Sequence, residues 1–456
     1  MKNLFKILVL TIMFSIFTVP AFAKVESLDV KLNRLIKCSE LDKTSTIAVS
    51  VKSIKTGKSV YEYNQNKLLH PASTLKLFTA ASAIDSLGYD YTFKTQVYAD
   101  KNNNLYIKLG ADPKLVSKDL HTLIKCLRET NHKSVNRIFI DDSIIDTQEW
   151  GTGWMWDDNT NAYMPKFSPY NLDNNVFNVS LNITESSAVD AVSTSAYPVA
   201  VINKLKVSDK DNFSILRQDW ISPDLLILEG TVASCKTLQI PVNNMRRAFI
   251  AKLNAELVAN NIKNNETEFR NALTPKDAEF LGEVVHPIDS VLSSALKNSD
   301  NKNAETIFKV AASKKYNATG TFELSKKMFD EFYKSIDVDT SKIVVADGSG
   351  VSRNNLVTAD FMSSALLQLY FLPDFGKYKE YIAQPGEGTL SNRLLDLRGF
   401  VWLKTGSISN VSGLTGYVKN KNNDEYTVAI IIQNFSKPQK DVKEFENKII
   451  NEIYSN

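Results

Sequence analysis

Strand-forming runs lie at both ends of this chain, and they constrain its fold more than any other feature. Near the N-terminus, residues 46–51 and 59–63 flank Lys55-Thr56-Gly57 and read as a hairpin. Near the C-terminus, residues 400–403, 413–418 and 426–433 form strand-like runs before a closing helical stretch at about 440–453. The simplest architecture is one sheet built from both ends of the chain, with helices packed against it. Whatever lies between must then loop out of that domain.

The intervening texture fits a long insertion. Across residues 89–270, short strand-like pieces at 105–109, 137–141 and 224–228 alternate with turns rich in Asn, Asp and Ser. From about 275, helical patterns return at 280–285, 288–296 and 303–313. At 456 residues the chain is long for one domain. The expected division is residues 24–88 with 271–456 as an α/β (α+β) domain, and 89–270 as β-rich inserted material in two nested units.

The first 23 residues read as a secretory leader. Lys2 and Lys6 form a positive start, residues 7–17 an apolar run too short to span a membrane, and Ala21-Phe22-Ala23 a small-residue cleavage site. The two lysines account for two of the three net positive charges, and no basic block follows, so nucleic acid is not an implied partner. The expected mature protein is soluble and lies outside the cytoplasm, in the periplasm or beyond. Its closing helix mixes acidic and basic residues and lacks the cationic, Trp/Phe-rich character of a stable membrane anchor. Cys38, Cys126 and Cys235 have no metal-ligand spacing; they read as small buried hydrophobes, with one disulfide allowed.

Three motifs occur in order: Ser73-Thr74-Leu75-Lys76, Ser299-Asp300-Asn301 and Lys404-Thr405-Gly406. Ser73 opens an expected helix after Pro71, and Lys76 three residues later shares its face. A serine hydroxyl needs a base to become a nucleophile. None of His70, His121, His132 and His286 sits in a Ser-His-Asp pattern, and Gly-x-Ser-x-Gly is absent. A lysine can act instead if burial and neighbouring positive charge depress its pKa, and Lys404 could supply that charge. Look-alike motifs at Ser294/Lys297, Ser299/Lys302 and Lys55-Thr56-Gly57 are expected to be solvated surface.

This ordered set resembles the penicilloyl serine transferases, and among them the class C low-molecular-mass penicillin-binding proteins, the D-alanyl-D-alanine carboxypeptidase/endopeptidases of type 4. Supporting stretches are the run from His70 to Leu77, Gly110-Ala111-Asp112-Pro113, Gly153-Trp154-Met155-Trp156-Asp157-Asp158, the run from Asp347 to Arg353, and Gly388-Thr389-Leu390. Departures are Ala111, in a stretch where the family often has two glycines, and Val351 where leucine is common. The resemblance implies an antiparallel five-stranded sheet flanked by helices, with an insertion between the first two motifs. It also implies that Ser73 attacks, Lys76 takes its proton, Ser299 relays a proton to the leaving amine, and Asn301 orients Lys76. Lys404 would hold positive potential, Thr405 and Ser407 beside Gly406 would bind the substrate carboxylate, and the backbone N–H groups of Ser73 and Ser407 would hold the oxyanion. Asp158 and Arg353 match positions linked to a diaminopimelate side chain. Asp300 and Thr74 are expected to be structural, and Trp154 and Trp156 to pack in the core or between domains. No cofactor or metal is implied; the expected partners are peptidoglycan stem peptides, and β-lactams as covalent inhibitors. Two rival readings share part of this pattern: a serine β-lactamase, and a catalytically silent wall-binding protein.

Overall fold

The structure, a computed structural model, describes residues 26–456 except 131, 197, 218–223 and 267; the expected leader lies outside the described residues. Both chain ends contribute to one antiparallel sheet of five strands, numbered in chain order: β1 (Thr46–Ser53), β2 (Ser59–Tyr63), β3 (Val401–Ile408), β4 (Val411–Lys419) and β5 (Glu425–Gln433). Their spatial order is β3-β4-β5-β1-β2. The ends of the chain meet where β5 pairs with β1, from Thr46 opposite Gln433 to Ser53 opposite Tyr426.

Helices cover both faces of this sheet, which is why its inner strands are apolar almost without a break. Along β5, Ala429 and Ile431 enter a core shared with helices Lys76–Leu87, Asn301–Tyr316 and Ala359–Tyr370. Val428, Ile430 and Ile432 point the opposite way, into a second core with helices Leu28–Lys37 and Gln439–Tyr454. The closing helix buries Val442, Phe445, Ile449, Ile450 and Ile453 there, so its apolar stripe is already occupied. No described helix is long and apolar enough to cross a membrane.

The insertion has a five-stranded mixed sheet of its own, ordered Phe269–Asn271, Ile138–Asp141, Leu105–Lys108, Thr92–Ala99, Glu279–Pro287. Residues 280–285, expected as helix, are strand. Their apolar spacing fits a helix, but Val284 and Val285 are β-branched and lie opposite Thr95 and Lys94. Residues 279–287 therefore belong to the insertion's sheet and not, as expected, to the two-ended domain. Helices Ser117–Glu129 and Met245–Ala259 share a core with Val97, Ile107, Ile138 and Ile140. The β-rich reading missed both, although Leu120, Leu123, Ile124 and Leu127 fall at helical spacing. Two three-stranded sheets built from residues 176–241 sit inside this unit in sequence. All three cysteines are free thiols; Cys38 and Cys235 are exposed, against the expectation of burial.

Candidate active site

Ser73 lies in a tight turn, Ala72–Leu75, that runs into helix Lys76–Leu87. Ala72 holds the left-handed region at φ 47°, which is costly for a residue with a Cβ. The Thr74 hydroxyl donates to the Pro71 carbonyl at 2.5 Å and steadies this turn, the structural part expected of it. Lys76 Nζ donates to Ser73 Oγ at 2.8 Å, Asn301 Oδ1 at 2.7 Å and the Ser349 carbonyl at 2.7 Å. Those three acceptors use all three protons of an ammonium. Only 1% of Lys76 is exposed, and burial pushes its pKa down to about 8 against the pull of Asp347, Glu305 and Asp300.

Two buried carboxylates shape the backbone that presents Ser349. Asp347 accepts from the N–H groups of Gly350 (2.7 Å) and Ser352 (2.6 Å), from Asn355 Nδ2 (2.7 Å) and from the Trp154 indole (2.8 Å). Glu305 accepts from the N–H groups of Gly348 and Ser349 at 3.1 and 2.7 Å. Burial and the Asp347 charge push the Glu305 carboxyl up to about 7. Gly350 is required here, because a Cβ on it would lie 1.9 Å from the Ala72 carbonyl oxygen.

The second motif enters from the start of helix Asn301–Tyr316. Asp300 caps this helix by accepting from the Asn303 N–H at 2.9 Å, its expected structural role. Ser299 is left-handed at φ 64°. The amide of Asn301 donates to the Tyr163 carbonyl at 2.8 Å, so a loop of the insertion fixes its orientation. Lys404, fully buried within β3, donates to Ser299 Oγ and to the Thr405 carbonyl, each at 2.9 Å. Burial, then the nearby Lys76, holds its pKa well below the ordinary lysine value.

β3 is an edge strand of its sheet. Gly406 lets this edge approach the Ser73 turn, since a Cβ would sit 2.8 Å from the Pro71 carbonyl oxygen and 3.2 Å from the Ser73 nitrogen. Thr405 Oγ1 donates to Thr389 Oγ1 at 2.7 Å. Ser407 is exposed on the same edge.

Hydrogen bonds thus bring together Ser73, Lys76 and Asn301, and pair Ser299 with Lys404; Thr405, Gly406 and Ser407 border them. Asp158 and Arg353 are half-buried, and no salt bridge joins them among the described residues. Burial and Asp157 raise the Asp158 carboxyl more than the Arg353 charge lowers it. Trp154 is buried as expected, whereas Trp156 is 69% exposed and does not pack in a core. Lys55 lies exposed in its hairpin, and Lys297 pairs with Glu387 at 3.0 Å. Lys302, expected on the surface, is buried and donates to the Pro113 carbonyl at 2.6 Å, tying the central helix to the insertion. No group of three or more described His, Cys, Asp or Glu residues could hold a metal ion.

The sheet flanked by helices and carrying an insertion is the penicillin-binding, β-lactamase-like fold. A crystal structure of penicillin binding protein 4 from Haemophilus influenzae superposes with a TM-score of 0.84 at 24% identity, covering 94% of this chain and 100% of the other. The same protein complexed with a β-lactam superposes at 0.79. The chain belongs to the D-Ala-D-Ala carboxypeptidase 3 (S13) family, which it matches over residues 28–452. It is 24% identical to the D-alanyl-D-alanine carboxypeptidase DacB of Haemophilus influenzae over 96% of both chains. It is 27% identical to a D-alanyl-D-alanine carboxypeptidase of Actinomadura sp. strain R39, over 81% of this chain and 74% of that one.

Proposed function

We propose that this protein is an exported serine D,D-peptidase that cleaves the D-Ala-D-Ala bond of peptidoglycan stem peptides, and cross-links as well, through an acyl-enzyme on Ser73. The observation that carries the reading is the buried Lys76 amine, 2.8 Å from Ser73 Oγ and aligned by Asn301. Ser73 Oγ attacks the carbonyl of the penultimate D-Ala as its proton passes to Lys76. The C–N bond then breaks, with Ser299 relaying a proton to the departing amine. Water releases the acyl group and regenerates the serine. The edge of β3 offers unpaired backbone groups along which an extended peptide can lie, and the Ser73 and Ser407 N–H groups would receive the oxyanion. A β-lactam acylates the same serine and leaves a fragment that blocks the water. Labelling with fluorescent penicillin, followed by digestion of defined muropeptides, tests this; rapid turnover of penicillin would favour a β-lactamase, and absence of label a silent binding protein.

The two buried lysines lie close enough for the Lys76 charge to lower the Lys404 pKa. Among the described residues no carboxylate pairs with Lys404, so the incoming substrate carboxylate, held by Thr405 and Ser407, would favour its ammonium form. The charged Lys404 in turn favours a neutral Lys76. Because the base must be neutral, acylation should rise with pH, about tenfold per unit well below 8, and level off above it. A pH–rate profile of penicillin acylation measures this, and a flat profile from pH 5 to 8 excludes Lys76 as the base.

Asp158 and Arg353 supply a carboxylate and a guanidinium, which suit the ammonium and carboxylate of a diaminopimelate side chain. Replacing either with alanine should lower kcat/KM for a diaminopimelate-bearing peptide by about tenfold or more, with acylation by simple penicillins unchanged. Equal losses on both substrates would assign the pair to the fold or to the general chemistry.

A further inference from the structure

Helices Lys76–Leu87 and Asn301–Tyr316 both begin at the candidate site, and their far ends lie about 20 Å from it. Those ends meet the insertion's five-stranded sheet across a groove of about 1290 Å³. One face of that sheet packs into the insertion's core. On the other face the strand register aligns a row of four aromatic residues, one per strand. Phe280 is opposite Tyr98, Tyr98 opposite Tyr106, and Tyr106 beside Phe139. The rings of Phe280 and Tyr98 meet edge to face at 5.5 Å between centroids; those of Tyr106 and Phe139 stack at 5.0 Å. Phe280 is 51% exposed, Tyr98 and Phe139 are half-buried, and Tyr106 is buried at 8%, so the open end of the row is Phe280 with Tyr98. With strands about 4.8 Å apart, the row spans roughly 15 Å.

The next row on the same face is polar: Glu283, Gln96, Lys108 and Asp141 stand side by side in register, Glu283 accepting from Lys94 and Gln96, and the last three border the groove. Lys276 and Lys314 also line the groove, and with Lys108 they have no acidic partner among the described residues. A solvated sheet face ordinarily carries polar residues throughout. An aromatic row beside free cations is instead the surface that a sugar chain fits: pyranose rings present apolar C–H faces to aromatic rings, and their hydroxyls and acidic substituents need polar and cationic neighbours.

We propose that this face is a carbohydrate-binding platform for a glycan strand bearing carboxylate substituents, with sugar rings on the exposed Phe280–Tyr98 end of the row and the carboxylates met by lysines of the groove. Only the choice of peptidoglycan as the natural glycan rests on the peptidase reading. The test uses the full mature protein with two probes, insoluble sacculi and soluble glycan strands stripped of peptide. A Phe280→Ala/Tyr98→Ala variant should bind both about tenfold more weakly, with an unchanged melting temperature and unchanged hydrolysis of a soluble D-Ala-D-Ala tripeptide. Phe280→Tyr should retain binding. Lys108→Ala/Lys314→Ala should weaken binding of both probes, and flatten the salt dependence of each. Unchanged glycan binding by the aromatic variant overturns the proposal, as does a change in its oligomeric state with glycan binding intact, which would mark the face as a self-association surface. If the wild type binds glycan but cleaves no D-Ala-D-Ala bond, the peptidase reading falls and the platform stands.

Discussion

Ser73→Ala should abolish both penicillin labelling and peptide cleavage, lowering turnover by a factor on the order of 10⁶ while the fold persists. One hydroxyl forms both acyl-enzymes, so both readouts must vanish together. The substitution removes a single oxygen that accepts from Lys76, and Lys76 keeps Asn301 Oδ1 and the Ser349 carbonyl as partners. Thermal melting should therefore change little. Mass spectrometry after exposure to penicillin reads the outcome directly. Covalent label retained by the variant would withdraw the assignment and move attention to Ser299, which already sits 2.9 Å from Lys404 Nζ.

Lys76→Ala should lower the acylation rate constant by about 10³- to 10⁴-fold and leave the non-covalent capture of penicillin near its wild-type value. The amine is placed to take the Ser73 proton, while the proposed carboxylate ligands lie on β3. Lys404→Ala should behave differently and weaken capture and rate together, because its charge serves both. Stopped-flow acylation over a range of penicillin concentrations separates the two constants. An unchanged rate for Lys76→Ala would remove it as the base.

The two-ended sheet was legible because strand-forming runs stand in both terminal segments, with helical stretches beside them to cover a shared sheet. The candidate site was legible as far as it depends on side-chain identity: Ser73, Lys76, Ser299, Asn301 and Lys404 stand in recognisable order. Backbone contributions were not, since every residue has a carbonyl; that Ser349 faces Lys76 follows from the folding of residues 347–350 around Asp347 and Glu305. Lys302 was misread for a similar reason. Its acceptor, the Pro113 carbonyl, lies 189 residues away, and without such a partner a lysine belongs on the surface. Residues 280–285 were misread because their partner strand, Thr92–Ala99, is just as remote and the local spacing favours a helix.

The amide of Asn301 donates to the backbone of Tyr163, and the indole of Trp154 to Asp347. Both partners come from the inserted segment, so the alignment of the lysine base is written partly in residues that never meet the scissile bond. Cutting out residues 92–287 would thus not yield merely a smaller enzyme of lower selectivity; it would leave Asn301 held only through its contact with Lys76, and Asp347 short of a donor in the interior. In this chain the insertion is part of the scaffold that aligns the base, and not only a selector of substrates.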